Sequence, residues 1–356
     1  MEGSLERLDR AVAGLAATVR LLQALTPVNG REEHERLAAA FACGGEAMPR
    51  WRYDAPPSPT DGAVATIADA ARRERSPLGR VYFARIEEIA IELELHAAAG
   101  TPAIAELSAR RFATEGSEAS ATAKRWASAG AEVREEPRRA TDDAHPSSLR
   151  SLLESEIGAR RLPFGVRVVD GLASLAATGS RNVYVSRGRL VTDAVARRTA
   201  IHEIEGHVVP RARARLLPLR LFFVGTAGGH DTQEGFALWH EEKAELLDGE
   251  RRFELGLRHL ACDAMAKGAD FVEVMRHLTR DFGAHDSVAL GIAERIFRGS
   301  DGRTPGLGRE RVYLPHFLRV RERLARRPAD AMVLGAGQLG LDVLDLAREI
   351  LERAVA

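Results

Sequence analysis

The stretch TAIHEIEGHVV, residues 199–209, places His202, Glu203 and His207 within six positions. Two imidazoles around a carboxylate are metal-ligand side chains, and an acid beside such a ligand is well placed to serve as a general base. The histidines stand five residues apart, whereas the H-E-x-x-H signature of zinc peptidases separates them by four. In a regular α-helix residues i and i+4 lie about 40° apart, but i and i+5 lie about 140° apart and diverge. One extra residue taken up as a π-helical turn realigns them, and such turns occur disproportionately at functional sites. Gly206, just before His207, lowers the steric cost of that distortion. The spacing therefore predicts an irregular turn between Ile204 and His207.

A catalytic zinc ion takes three protein ligands and keeps one position for water, so two histidines need a partner. The most attractive source is DTQEGFALWHEE, residues 231–242. Glu234 stands there at the start of an apparent helix, with Gly235 leaving space beside it, and a ligand on a helix is held rigidly. His230, His240 and Glu241 are competing donors. With Glu234 as the third ligand, Glu203 is left as the general base for a water acidified by the metal.

HEIEGH followed by LPLRLFFVGTAGGHDTQEGFA resembles, in order and spacing, the HExxxH and QEGLA motifs of a zinc metallopeptidase family. That family includes the eukaryotic microtubule-associated tyrosine carboxypeptidases and many bacterial relatives. LTPVNGREEHERLAAAF near residues 25–41 and GRERVYLPHF at 308–317 resemble flanking blocks of the bacterial members. The resemblance implies that His202, His207 and Glu234 bind Zn2+ and that Glu203 activates water. It also implies a peptidase that removes a carboxy-terminal residue, tyrosine or another aromatic in the family pattern, from a peptide or protein tail. Phe236 stands where the motif commonly has leucine, and Glu205 and Gly206 replace the glycine and threonine of some relatives.

Carboxypeptidase chemistry also requires a cation for the terminal carboxylate and a donor for the tetrahedral oxyanion. Arg295 and Arg298 in AERIFRG, with Arg309 in GRERVYL, are the substrate-binding candidates, and Tyr313 is the catalytic donor candidate. Each competes with an ordinary role as a surface or salt-bridging arginine or a packed aromatic. Two other readings of the metal chemistry stand beside this one: an endopeptidase or other metal-dependent hydrolase, and a non-catalytic regulatory protein that keeps zinc for structure. Glu203 argues against the last, because a structural site has no use for a base and closes its fourth position with a protein ligand.

The elements that must carry these residues are mostly helices. Leu5, Leu8, Val12, Leu15, Val19 and Leu22 recur at helical spacing, as do the apolar positions of residues 80–96. The segments 56–60 and 134–148 are proline-rich or charged breaks, the second dividing an amino-terminal helical region, 1–145, from a zinc-peptidase-like core, 146–356. FGVRVVD at 164–170 and RNVYVSR at 181–187 read as strands, and Thr192 with Asp193 supplies the cap of the helix that carries the histidines. The expected fold is α+β and predominantly helical, with a small sheet before the HExxxH helix and helices after it.

Composition excludes several functions. Basic and acidic residues balance at 51 each, which gives no global attraction to nucleic acid or an anionic membrane. The richest apolar run, LLPLRLFFVG at 216–225, is short and interrupted by Pro218 and Arg220, so no bilayer-spanning segment is expected. The amino terminus scatters charges through its apolar positions and does not read as a signal peptide. Cys43 and Cys262 are too few for a disulfide framework, which suits a reducing cytoplasm. Only three of the 51 basic residues are lysines, a bias that fits a GC-rich bacterial genome.

Overall fold

Val183 and Val185 sit wholly buried on one face of a five-residue strand, with Tyr184 between them pointing the other way, the period-2 pattern of a half-buried strand. This strand, β4 (Asn182–Ser186), is the centre of a three-stranded sheet, paired in parallel with β2 (Gly165–Val169) and antiparallel with β3 (Ala176–Thr178). A separate antiparallel ladder joins β1 (Arg138–Ala140) to β5 (Leu190–Thr192). The two strands expected from sequence are β2 and β4. The other three have only three residues each, too short to show alternation.

The computed structural model describes residues 3–54, 61–114, 117–130 and 138–355. The expected break at 56–60, and the first four residues of the one at 134–148, lie outside the described residues. Helices dominate what is described, so the fold is α+β and predominantly helical. Among the described residues, no helix is long and apolar enough to cross a membrane.

Contacts group the chain into two compact units, Met1–Ala131 with Gly249–Pro315, and Glu132–Asp248 with His316–Ala356. Each is built from two separate stretches of chain, whereas the sequence reading places a single boundary at 145/146. In the first unit the helix Gly249–Ala266 lies against Ser117–Ser128. Gly256 makes this approach possible, since a Cβ there would stand 2.8 Å from the Ala123 carbonyl oxygen. The long helix Pro77–Ala97 of the same unit starts with a Ser76 cap and Pro77 in its first turn.

The second unit holds the HExxxH segment. Leu149, Leu153 and Ile157 of the helix Leu149–Ala159 share one core with Val183 and Val185 of β4 and with Ala196, Ala200, Ile204 and Val208 of the histidine segment. That segment begins as an α-helix, Asp193–Glu203, whose cap is the Thr192 side chain accepting from Val195 N at 3.2 Å. It continues as a π-helix over Ile204–Val208, the irregular turn that the spacing predicts, and then as α-helix Val209–Ala214. Beside it runs the glutamate helix, Gly229–Lys243. Phe236 of that helix turns into a second core with Val320, Leu324, Leu334 and Leu344.

Gly206 is where the histidine segment and the glutamate helix come closest. A Cβ at this position would collide with Ala237 Cβ and stand 2.9 Å from its Cα, so the absence of a side chain sets the distance between the two ligand-bearing elements. Gly206→Ala is expected to lower stability by at least about 1–3 kcal/mol, the usual cost of overpacking. Urea unfolding of the variant against wild type measures this, and an unchanged midpoint would show that the contact yields without cost.

Candidate metal centre

The π-turn brings the two imidazoles to one side of the histidine segment. Their ring centroids lie 5.3 Å apart with planes at 60°. Both Nε2 atoms face Glu234, His202 at 3.4 Å and His207 at 3.8 Å from Oε2. His202, His207 and Glu234 each offer a ligand atom, and these atoms lie within 4.8 Å of one another. Zinc–nitrogen and zinc–carboxylate bonds of about 2.1 Å in tetrahedral array place neighbouring donors about 3.4 Å apart. Two nitrogens and one carboxylate oxygen at these separations could therefore hold a divalent ion with little movement.

The remaining acids are also in place. Glu203 is 6% exposed, and one of its oxygens, Oε2, accepts from Thr178 Oγ1 at 2.6 Å, so the last residue of β3 fixes the acid beside the histidine cluster. Burial raises the Glu203 pKa, with His202 and the Thr178 hydroxyl acting in the opposite direction. Glu241 is fully buried and takes His202 Nδ1 at 2.7 Å. Burial disfavours a charged His202, yet the hydrogen-bonded carboxylates of Glu234 and Glu241 outweigh it and lift the pKa to about 9. His207 responds in the other direction: burial takes it down to about 3, although Glu234 opposes the shift. A cluster with this excess of carboxylates calls for positive charge at its centre, which a divalent cation supplies.

Among the competing donors, His240 packs edge-on against Phe236 at 4.5 Å and belongs to an aromatic group with Trp239; burial takes its pKa down to about 4. His230 lies under Gly225, its Nε2 at 3.2 Å from where a Cβ would project. Neither joins the cluster of donors. Gln233, directly before Glu234, is 1% exposed and donates through Nε2 to the Gly337 carbonyl oxygen at 3.4 Å. Its Oε1 is buried, as is His207 Nδ1, and neither has a hydrogen-bond partner among the described residues.

Arg295, Arg298, Arg309 and Tyr313 lie in the first unit, where they gather around Glu310. Arg295 Nε bonds Glu310 Oε1 at 2.9 Å, and Arg258 Nη1 reaches Oε2 of the same acid at 3.2 Å. The Arg258 guanidinium also stands 6.0 Å from the centre of the Tyr313 ring. Burial opposes ionisation of Glu310, but Arg295, Arg258 and Arg309 hold its pKa below the usual carboxylate range. Arg298 makes no side-chain hydrogen bond or ion pair among the described residues. Burial, followed by the repulsion of Arg295, takes its pKa down to about 10. Sequence reasoning missed Arg258 and Glu310 because nothing in their spacing connects them with the AERIFRG segment.

A mainly helical α+β chain thus brings an acid beside two imidazoles and a second acid. The sequence profile described as microtubule-associated tyrosine carboxypeptidase matches residues 40–356, and the chain belongs to that family. No curated protein matches the chain. Thr178 and the partner of His202 Nδ1 are the parts of the site that sequence reasoning missed. Glu241 appeared only as a rival ligand, although its position two helical turns after Glu234 already puts it on the same helix face.

Proposed function

We propose that the protein is a zinc-dependent carboxypeptidase that removes one residue from the carboxy-terminal end of a peptide or protein, with His202, His207 and Glu234 as the zinc ligands. The observation that carries this reading is the convergence of His202 Nε2, His207 Nε2 and Glu234 Oε2 with a buried, oriented Glu203 next to them. Zinc held there supplies Lewis acidity, which polarises a carbonyl and acidifies water. Glu203 takes the proton of the attacking water and delivers it to the leaving amine as the C–N bond breaks. Thr178 occupies one oxygen of Glu203 and leaves the other for that water. Family membership supports a protein or peptide tail as the substrate, with an aromatic terminal residue as the first choice to test.

Incubation of the zinc-loaded protein with a peptide library, followed by mass spectrometry, tests the function as a whole. Single-residue losses from the carboxy terminus are expected. Internal cuts would replace this reading with an endopeptidase, and intact peptides beside stoichiometric zinc would replace it with a non-catalytic role.

A further inference from the structure

We propose that Gln233 and Glu241 are the positioning residues of the metal centre, holding His207 and His202 respectively by their Nδ1 atoms. The inference rests on the zinc reading above, because it concerns the side of each imidazole that faces away from the ligand cluster. A histidine that ligates through Nε2 carries its proton on Nδ1, and that proton needs an acceptor to fix the tautomer and the plane of the ring.

For His202 the acceptor is in contact. Glu241 Oε1 lies 2.7 Å from Nδ1, and the carboxylate is fully buried on the same helix as Glu234, seven residues later. Two turns of helix bring residues seven apart to nearly the same face, so one rigid element presents a ligand to one side of the His202 ring and an anchor to the other. An ionised partner is the stronger kind of acceptor and raises the basicity of the ligating nitrogen.

For His207 the observation is a matched pair of orphans. His207 Nδ1 and Gln233 Oε1 are both buried and both lack a hydrogen-bond partner among the described residues. Gln233 directly precedes Glu234, whose Oε2 lies 3.8 Å from the other nitrogen of the same ring. Gln233 Nε2 is already turned to the Gly337 carbonyl, which fixes the orientation of the amide and leaves Oε1 as its acceptor. An N–H donor and a carbonyl acceptor, each otherwise unsatisfied in the interior, are chemically complementary, and leaving both unpaired is costly. A neutral amide also suits this position, because Glu203, Glu234 and Glu241 already concentrate negative charge around the two rings. The glutamine of the QEG run thereby acquires a reason: it is the outer partner of one histidine, next to the acid that ligates beside it.

The test is zinc affinity, measured on the full chain by competition with a chromogenic chelator, together with the visible spectrum of the cobalt-substituted protein. Gln233→Met keeps the volume and removes the acceptor; Glu241→Gln keeps the acceptor and removes the charge. Each is expected to weaken zinc binding roughly 10–100-fold and to alter the cobalt spectrum. Leu238→Ala on the same helix is the packing control; it is expected to lower the unfolding temperature and leave zinc affinity unchanged. Wild-type affinity in either variant would overturn the role given to that residue. A Leu238→Ala loss of affinity as large as theirs would reduce both residues to packing. Failure of the wild-type chain to bind zinc would instead overturn the metal reading on which the inference rests, so the two failures are distinguishable.

Discussion

Glu203→Gln is expected to lower kcat by about 10²–10⁴-fold, the usual contribution of a positioned general base, while zinc content and KM stay close to wild type. Glutamine has the shape of glutamate, and its carbonyl oxygen can still accept the Thr178 hydroxyl that bonds Glu203 Oε2 at 2.6 Å. The substitution therefore removes proton-accepting capacity and little else. Glu203 itself does not belong to the group of donors formed by His202, His207 and Glu234, which is why metal content should survive its loss. Burial, which lifts the Glu203 pKa, makes the ionised acid a better proton acceptor than a solvated one, and the neighbouring His202 and Thr178 limit that lift so that the acid can still ionise. Single-turnover kinetics on a peptide identified by the library screen, with metal analysis of the same sample, measures both quantities. Near-wild-type turnover in the variant would take Glu203 out of the chemistry.

The histidine turn was legible in the sequence because a spacing of five is incompatible with a shared ligand in a regular helix; only a local change of helix type resolves the conflict, and Ile204–Val208 is π-helical. The purpose of Gly206 was legible only in part. Sequence suggests backbone freedom, whereas the structure adds a contact with Ala237, a residue 31 positions away, and no local pattern encodes such a contact. Strands β2 and β4 carry enough β-branched residues to be read, but β3 is three residues long, so Thr178 and its bond to Glu203 were invisible. Glu241 was visible as an acid near the motif, but its role depends on which nitrogen of His202 it faces, and that is a matter of ring orientation. The joining of Gly249–Pro315 with the amino-terminal helices is likewise a long-range event, carried by contacts such as Gly256 against Ala123.

Deleting the distant ligand should have a larger effect on metal than any change in the outer partners. Glu234→Ala leaves two imidazoles and no anionic donor in the second turn of its helix, so zinc content after dialysis is expected to fall to background and peptidase activity with it. The metal-free variant should still fold, because Glu234 is a member of neither apolar core, which Phe236, Ile204 and Val208 help to form. The contrast appears when metal is added. Zinc that binds only the folded chain stabilises wild type by about 4 kcal/mol at a free concentration 1,000 times its Kd. The same addition should leave the unfolding transition of Glu234→Ala where it was. Removing zinc from wild type with a chelator should reproduce the variant's behaviour, and restoring zinc should reverse it in wild type alone. His207→Ala is expected to behave like Glu234→Ala, since each removes one of three donors and leaves a pair too weak to retain the ion. If Glu234→Ala held zinc at wild-type stoichiometry and shifted its transition to the same extent on metal addition, the third donor would have to be sought elsewhere, and the carboxypeptidase reading would lose the geometry on which it is built.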